Sequence, residues 1–178
     1  MTKKIDDISK RAKGSFFQDV AQRSEKDNWQ TPLWLFEGLN SYFDFDVDVC
    51  ADENNALCQR YFTKEDNCLN KEWGNVNFLN PPYDREMYVF MEKAKEEWKK
   101  GKTIVALVPS RTDTRWFHHH VYNKADIFFV KGRLNFELPD KEAMNAPFPS
   151  MIAVWHHAVL DRKRIFEIIN DKSQMSIF

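Results

Sequence analysis

The chain has 178 residues, which is the size of one typical domain. Hydrophobic residues make up 43% of it and aromatic residues 15%, which supplies a sizeable core and argues against global disorder. The 26 Lys and Arg residues nearly balance the 27 Asp and Glu residues, and the net charge of -1 excludes a strongly basic, histone-like chain. Any surface that binds nucleic acid must therefore be a local basic patch.

The sequence carries no signal for export or membrane insertion. No apolar run approaches the roughly 20 residues that a membrane helix needs, and residues 1–7 contain no apolar signal core. The cysteines Cys50, Cys58 and Cys68 form no C-x-x-C pair, so we expect reduced thiols. These features favour a cytoplasmic protein without membrane contacts.

The N-terminal part of the chain changes character before the first predicted helix. Residues 1–28 are mostly polar and charged, and we expect a flexible arm there, followed by a single domain over 29–178. Thr31 and Pro32 suit the N-cap and the first position of a helix. The alternation of apolar and acidic residues at 45–51 predicts a strand.

Strands and helices alternate through the rest of the chain. The apolar stripe of residues 85–100 predicts a helix that Gly101 ends, and the continuous apolar run 103–108 predicts a strand covered on both faces. Residues 137–149 contain three prolines and are predicted as a loop. The other predicted elements are strands at 60–63, 76–79, 126–130, 134–136 and 150–155 and helices at 115–122 and 162–169. This pattern predicts an α/β sandwich with a mainly parallel central sheet, in which ligands bind at the carboxyl ends of the strands.

The most informative segment is the tetrad formed by Asn80, Pro81, Pro82 and Tyr83, directly after an apolar strand. The two prolines have no backbone N–H and a fixed φ, so they form a stiff corner whose free polar groups are mostly acceptors. Asn80 adds a side-chain carbonyl, and Tyr83 adds an aromatic face. Two carbonyl acceptors beside a ring suit a planar substrate that carries an –NH2 group.

Such an amine needs activation because its lone pair is delocalised into the ring. Acceptors that fix both amino hydrogens in a tetrahedral geometry make the lone pair available, and this stabilisation strengthens toward the transition state. A sulfonium methyl group, as in S-adenosylmethionine, is a sufficient electrophile. The chemistry requires neither a metal nor a covalent nucleophile. The alternative interpretation is a structural turn with a packed tyrosine.

The chain resembles the phage-type, Dam-like DNA adenine-N6 methyltransferases from about residue 27 to residue 150. The resemblance rests on the order and spacing of residues 27–32, 46–51, Glu65 and Asp66 with Leu69 and Trp73, 78–83, 107–118, 131–136 and 146–150. It implies a Rossmann-like methyltransferase fold with three layers, and S-adenosylmethionine as the donor, with S-adenosylhomocysteine as product. It also implies an acceptor adenine flipped out of double-stranded DNA and stacked on Tyr83, in a phage or prophage protein of the bacterial host cytoplasm.

The sequence departs from many methyltransferases at the cofactor loop, because none of the five glycines forms a G-x-G loop. The predicted cofactor-binding residues are Trp29, Thr31, Pro32, Asp48, Ala51 and Asp66. Thr31 has a helix cap as its alternative role. Asp48 is expected near the cofactor's ammonium or ribose, and Asp66 near its adenine amine, with a solvated loop carboxylate as the alternative.

Four basic residues in the second half are expected to contact DNA, with ordinary surface salt bridges as the alternative. They are Arg111, Arg115, Lys131 and Arg133. The small size of the chain leaves little room for a separate recognition domain, so we expect a monomer or a weak homodimer. Adjacent histidines at 118–120 and 156–157 lack the spacing of a metal site, so we expect no bound metal.

Several other functions remain open from the sequence alone. The same tetrad chemistry suits cytosine-N4 in DNA, a guanine amine in RNA or a glutamine amide in a protein. The flanking motifs and the missing G-x-G loop argue against the RNA and protein substrates. A DNA-binding protein that keeps the fold without turnover is a further alternative, and the intact tetrad argues against it.

Overall fold

The computed structural model describes residues 29–138 and 141–171, and these form an α/β fold with one five-stranded mixed sheet and one two-stranded hairpin. The helices are α1 (Leu33–Phe43), α2 (Met87–Lys99) and α3 (Arg162–Ile169). The strands are β1 (Val47–Asp48), β2 (Val76–Leu79), β3 (Thr103–Pro109), β4 (Asp126–Phe129), β5 (Asn135–Leu138), β6 (Lys141–Asn145) and β7 (Ser150–Trp155). A 3₁₀ turn (Cys68–Asn70) and a π-helical turn (Phe117–Val121) complete the elements of the described ranges.

The strand order of the large sheet is β1-β2-β3-β7-β4. The pairs β1–β2 and β2–β3 are parallel, whereas β7 is antiparallel to both β3 and β4. The strands β1 to β4 therefore point the same way, and β7 alone is reversed. This confirms the predicted α/β class and corrects the mainly parallel sheet to a mixed one. The reason is that β4 and β7 are joined through the hairpin β5–β6 and not through the crossover helix that a parallel neighbour requires.

The core lies between the central strands and the helices that pack on them. Six of the seven residues of β3 are buried and so is all of β7, which explains their continuous apolar sequences. Helix α2 buries Met87, Phe90, Met91 and Ala94, the stripe expected from its sequence. Gly101 lies just after the helix, and its φ of 94° is in the left-handed region that favours glycine.

Several elements differ from the sequence predictions, and among them the strand predicted at 60–63 is only an isolated bridge between Tyr61 and Asp48. Residues 137–149 were predicted as a loop, but Lys141–Asn145 forms β6 and pairs antiparallel with β5. Helix α1 begins at Leu33, after Pro32 in the cap position, and no side chain caps it, so Thr31 is not the N-cap. The strand predicted at 45–51 is reduced to Val47–Asp48. The predicted arm at 1–28 lies outside the described residues.

None of the helices within 29–138 and 141–171 has the length and apolar character that a bilayer span requires.

One buried ionic cluster joins α2 to the start of β3. The side chain of Glu97 is fully buried, and its carboxylate accepts hydrogen bonds from Lys93 at 2.7 Å, Lys100 at 2.6 Å and Lys102 at 2.7 Å. Lys102 is itself buried and also donates to the Trp73 carbonyl at 2.8 Å. Burial opposes ionisation of Glu97, but the hydrogen bonds from Lys100, Lys102 and Lys93 outweigh it and lower its pKa to about 2.

We expect Glu97→Gln to lower the free energy of unfolding by about 3 kcal/mol, because it leaves the buried ammonium of Lys102 with the exposed Glu72 carboxylate, at 3.3 Å, as its remaining charged partner. The stabilisation from a lowered carboxyl pKa is present above pH 4.5 and is lost as the pH falls toward about 2. Urea denaturation at several pH values measures both effects. The exposed neighbour Glu96 provides the control, since Glu96→Gln should change little. Equal effects of the two substitutions would contradict this account of the cluster.

Candidate active site

The carboxyl ends of β1, β2 and β3 meet at one edge of the sheet. In the parallel register Asp48 lies beside Phe78, and Leu79 lies beside Ala106. The segments that follow β1 and β2 therefore share this edge, as the sequence predicts. The backbone N–H of Ser110, just after β3, donates to the Pro149 carbonyl at 2.8 Å, which brings the loop 146–149 to the same edge.

The side-chain amide of Asn80 is held by three hydrogen bonds. Its Nδ2 donates to the backbone carbonyl of Trp29 at 2.7 Å and to the Thr31 hydroxyl at 3.0 Å. Its Oδ1 accepts from the Tyr83 hydroxyl at 2.7 Å. Both amide hydrogens are therefore used, while the carbonyl oxygen keeps acceptor capacity for one more donor.

Tyr83 is a buried residue in this structure. Its side chain is 6% exposed, and its hydroxyl lies 3.3 Å from the Leu107 carbonyl as well as near Asn80. Burial raises the pKa of the Tyr83 hydroxyl, so this group stays a proton donor. The adjacent Pro81 and Pro82 are buried too, which fixes the corner against the core.

An aromatic cluster of Trp29, Tyr83, Phe136 and Phe148 covers the tetrad. The Phe148 ring lies edge-on to Tyr83 at 5.4 Å and to Trp29 at 5.4 Å, and Phe136 lies 5.4 Å from Trp29 and 6.2 Å from Tyr83. In this conformation the cluster leaves little of the Tyr83 ring open, so a base stacked there needs Phe148 to move. Sequence reasoning did not assign Phe136 or Phe148 to the site, although both lie in segments that carry the family resemblance.

Asp48 is a buried carboxylate at the end of β1, with 3% of the residue exposed. Its two oxygens accept from the backbone N–H groups of Cys50 and Leu57, each at 3.3 Å. Burial raises the pKa of Asp48 to about 6, although these two hydrogen bonds oppose the shift. The carboxylate thus holds the loop after β1. The N–H of Ala51 donates to the Phe62 carbonyl at 3.1 Å, which ties the same loop to its neighbouring segment.

Asp66 lies in an exposed turn. Its Oδ2 accepts from the backbone N–H and the hydroxyl of Thr63, both at 3.0 Å, and these bonds lower its pKa. Lys71 lies 3.8 Å from the other oxygen. Trp73, which the resemblance includes, is a core residue whose indole N–H donates to the Cys68 carbonyl at 2.8 Å.

The four predicted DNA-contacting residues are all exposed. Arg111 follows β3, and Lys131 and Arg133 follow β4, so these three lie at the carboxyl edge of the sheet. The Arg111 guanidinium lies 5.9 Å from the centre of the Phe148 ring, which links it to the aromatic cluster. Arg115 lies farther along the chain, 5.9 Å from the ring of Tyr88.

Over the part of the chain that the structure describes, no group of three or more His, Cys, Asp or Glu side chains is placed to hold a metal ion.

The fold and the site define a class of α/β proteins in which a central strand ends in an Asn-Pro-Pro-Tyr corner at the carboxyl edge of the sheet. The family model described as DNA N-6-adenine-methyltransferase (Dam) matches residues 18–177, so the chain belongs to that family.

Curated relatives agree with this assignment. A DNA N-6-adenine-methyltransferase of Haemophilus phage HP1 is 33% identical over 112 residues, which are 61% of this chain and 65% of the relative. A DNA N-6-adenine-methyltransferase of Escherichia phage T1 is 32% identical over 136 residues, which are 75% of this chain and 55% of the relative. A putative methyltransferase, YfdM, of Escherichia coli K12 is 40% identical over 65 residues, 32% of this chain and 71% of the relative. The chain thus spans less than two thirds of the length of either phage relative.

The raised pKa of Asp48 predicts a pH-dependent stability. A carboxyl group whose pKa rises on folding stabilises the fold below its unfolded pKa of 3.8, and this contribution is lost as the pH rises through about 6. We expect Asp48→Asn, which cannot ionise, to gain stability relative to the wild type by up to about 3 kcal/mol between pH 4 and pH 7. Parallel urea titrations across this range measure the difference. A difference that stays constant with pH would show that Asp48 ionises freely in the folded protein.

Proposed function

We propose that this protein transfers a methyl group from S-adenosylmethionine to the N6 amine of an adenine that is flipped out of double-stranded DNA. Family membership and the names of the two phage relatives support this activity. The observation that carries the proposal is the orientation of the Asn80 amide, whose nitrogen is bound to residues 29–31 and whose oxygen is left as the acceptor.

The tetrad holds the amine in the proposed mechanism. Asn80 Oδ1 accepts one N6 hydrogen, and a backbone carbonyl of the Pro81–Pro82 corner accepts the other. Held in this way, the nitrogen becomes tetrahedral and its lone pair points away from the purine ring. The proline corner cannot relax, so the geometry is set before the substrate arrives.

The hydroxyl and the ring of Tyr83 have different roles when the base enters. Its hydroxyl has one hydrogen, so it donates a hydrogen bond either to Asn80 Oδ1, at 2.7 Å, or to the Leu107 carbonyl, at 3.3 Å. As the adenine amine binds Asn80, the hydroxyl turns to Leu107 and remains hydrogen-bonded in its buried position. The ring supports the base once Phe148 has moved aside.

The residues at the end of β1 fit a cationic cofactor. A buried carboxylate such as Asp48 pays a desolvation cost for its charge, and a nearby ammonium group offsets that cost. S-adenosylmethionine would supply an electrophilic methyl carbon, whose bond to sulfur breaks as the bond to N6 forms; S-adenosylhomocysteine then leaves, and the methylated amine loses one proton to water. We assign its binding to Asp48 and Ala51, with Trp29 and Pro32 on the adjoining segment, whose Thr31 hydroxyl is bonded to Asn80. Asp66 is assigned to the cofactor's adenine amine.

The DNA lies along the carboxyl edge of the sheet in this proposal. Arg111, Lys131 and Arg133 contact phosphates or bases there, and Arg115 contacts the flanking backbone. The sheet belongs to a Rossmann-like fold with three layers. The protein works as a monomer or weak homodimer, without a membrane partner, in the cytoplasm of a bacterial host and is encoded by a phage or prophage.

The activity is tested by methylating duplex DNA and digesting it to nucleosides for mass spectrometry. N6-methyladenine is the expected product. If N4-methylcytosine forms instead, the substrate is cytosine. If no modified nucleoside forms and calorimetry detects no binding of S-adenosylmethionine, the result favours a DNA-binding protein without turnover.

We expect Asn80→Ala to reduce the single-turnover methylation rate by on the order of 100-fold or more, because one acceptor for the amine is lost. Asn70→Ala is the control, since Asn70 is exposed and lies in the 3₁₀ turn. Circular dichroism verifies that both variants fold. Wild-type turnover by Asn80→Ala would rule out the proposed role of the tetrad.

Two substitutions separate the ring of Tyr83 from its hydroxyl. Tyr83→Ala should lower kcat/KM by the stacking contribution of roughly 1–3 kcal/mol, whereas Tyr83→Phe keeps the ring and should retain most of the activity. Thermal unfolding of each variant is measured in parallel, because removing a buried ring also costs stability. If Tyr83→Phe loses as much activity as Tyr83→Ala, the hydroxyl and not the ring is the contributing group.

A further inference from the structure

The segment 29–31 contacts the tetrad through the donor side of the Asn80 amide. We propose that Thr31 is a positioning residue whose hydroxyl holds the Asn80 amide with its oxygen toward the target amine. This inference rests on the proposed function, because it names what Thr31 does for the same site.

The geometry leaves one orientation for the amide. Asn80 Nδ2 carries two hydrogens, and its two acceptors are the Trp29 carbonyl at 2.7 Å and the Thr31 hydroxyl at 3.0 Å. On the other side, Tyr83 donates to Oδ1 at 2.7 Å. An amide rotated by 180° would turn its oxygen to the Trp29 carbonyl, so that two acceptors would face each other, and would turn its NH2 group to the amine of the base, so that two donors would face each other.

The Thr31 hydroxyl is free for this task because it does not serve the adjacent helix. Helix α1 has Pro32 at its cap position and no side-chain cap hydrogen bond. The Pro32 carbonyl accepts from the N–H groups of Leu35 at 3.0 Å and Phe36 at 3.2 Å, so the helix start is held by backbone groups. Thr31 itself is 7% exposed, which places its hydroxyl inside the protein and not in solvent.

The segment is anchored on both sides of Thr31. On one side the Trp29 ring packs edge-on against Phe136 and Phe148, each at 5.4 Å between ring centres. On the other side Pro32 joins it to α1. Because the segment is anchored at both ends, the Thr31 hydroxyl stays in one place and can hold the amide there. A hydroxyl on a mobile loop could not do this.

The positioning role differs from cofactor binding in its kinetic consequences. A residue that orients Asn80 affects the methyl-transfer step and leaves the affinity for S-adenosylmethionine unchanged. Substitution of a residue that binds the cofactor directly raises the dissociation constant and leaves the rate at saturating cofactor unchanged.

The test replaces the hydroxyl by a methyl group in Thr31→Val and restores it in Thr31→Ser. We expect Thr31→Val to lower the single-turnover rate at saturating DNA and S-adenosylmethionine about tenfold, with an unchanged dissociation constant for S-adenosylmethionine by calorimetry. Thr31→Ser should recover most of this loss. Thr103→Val makes the same change at the start of β3, on the opposite edge of the sheet, and should behave as the wild type.

A second measurement reports on the amide without turnover. In protein labelled with ¹⁵N-asparagine, Asn80→Ala identifies the Asn80 side-chain signals by their loss. Thr31→Val should move one of the two Asn80 amide proton signals upfield, and Thr31→Ser should leave it close to its wild-type position. If Thr31→Val does not fold, Thr31→Ala replaces it in both measurements.

The outcomes distinguish this inference from the proposed function. An unchanged rate, or a raised dissociation constant with an unchanged rate, would overturn the positioning role, as would unmoved Asn80 signals. A wild-type protein that makes no N6-methyladenine would overturn the proposed function, while the amide signals would still decide whether Thr31 orients Asn80.

Discussion

The candidate active site depends on the orientation of one side-chain amide. Asn80 follows β2, and its amide is held from two other parts of the chain: the segment before α1, through Trp29 and Thr31, and the hydroxyl of Tyr83, which follows the proline corner. Each contact uses a different hydrogen or lone pair, so they specify one arrangement between them. The segment 29–31 is therefore as much a part of the site as the tetrad, although about 50 residues separate the two in sequence.

Two buried carboxylates show how the surroundings decide the behaviour of the same group. Glu97 is surrounded by lysine ammonium groups, which lower its pKa to about 2, and it stabilises the junction of α2 and β3. Asp48 is held by backbone N–H groups, which are too weak to offset its burial, and its pKa rises to about 6. Glu97 has its counter-charges within the chain, whereas the contacts of Asp48 at the sheet edge are neutral donors. A buried carboxylate with a raised pKa at the carboxyl edge of a sheet marks a candidate ligand site.

The sequence predicted the elements whose signal is local and missed those that depend on distant partners. The apolar stripe of α2 predicted a helix, the continuous apolar run of β3 predicted a buried strand, and Gly101 predicted the end of the helix. The sequence of β6 has no strong strand pattern. It forms a strand because it pairs with β5, and this partner is not evident from its own composition. The reversal of β7 follows from this hairpin and could not be read from β7 alone. In the same way, Thr31 resembled a helix cap, and only its hydrogen bond to Asn80 reveals a different partner.

The loop after β1 has an unusual construction for a nucleotide-type site, since no glycine lies between Gly38 and Gly74. Glycine-rich loops expose backbone N–H groups to an anion such as a pyrophosphate. Here two of those N–H groups turn inward to the carboxylate of Asp48. The N–H groups that are bonded to Asp48 cannot also bind a phosphate, and the group at this position is a buried carboxylate. The proposed donor, S-adenosylmethionine, has no phosphate and carries an ammonium and a sulfonium cation, and this chemistry is the reason why the proposal assigns the carboxylate of Asp48 to it.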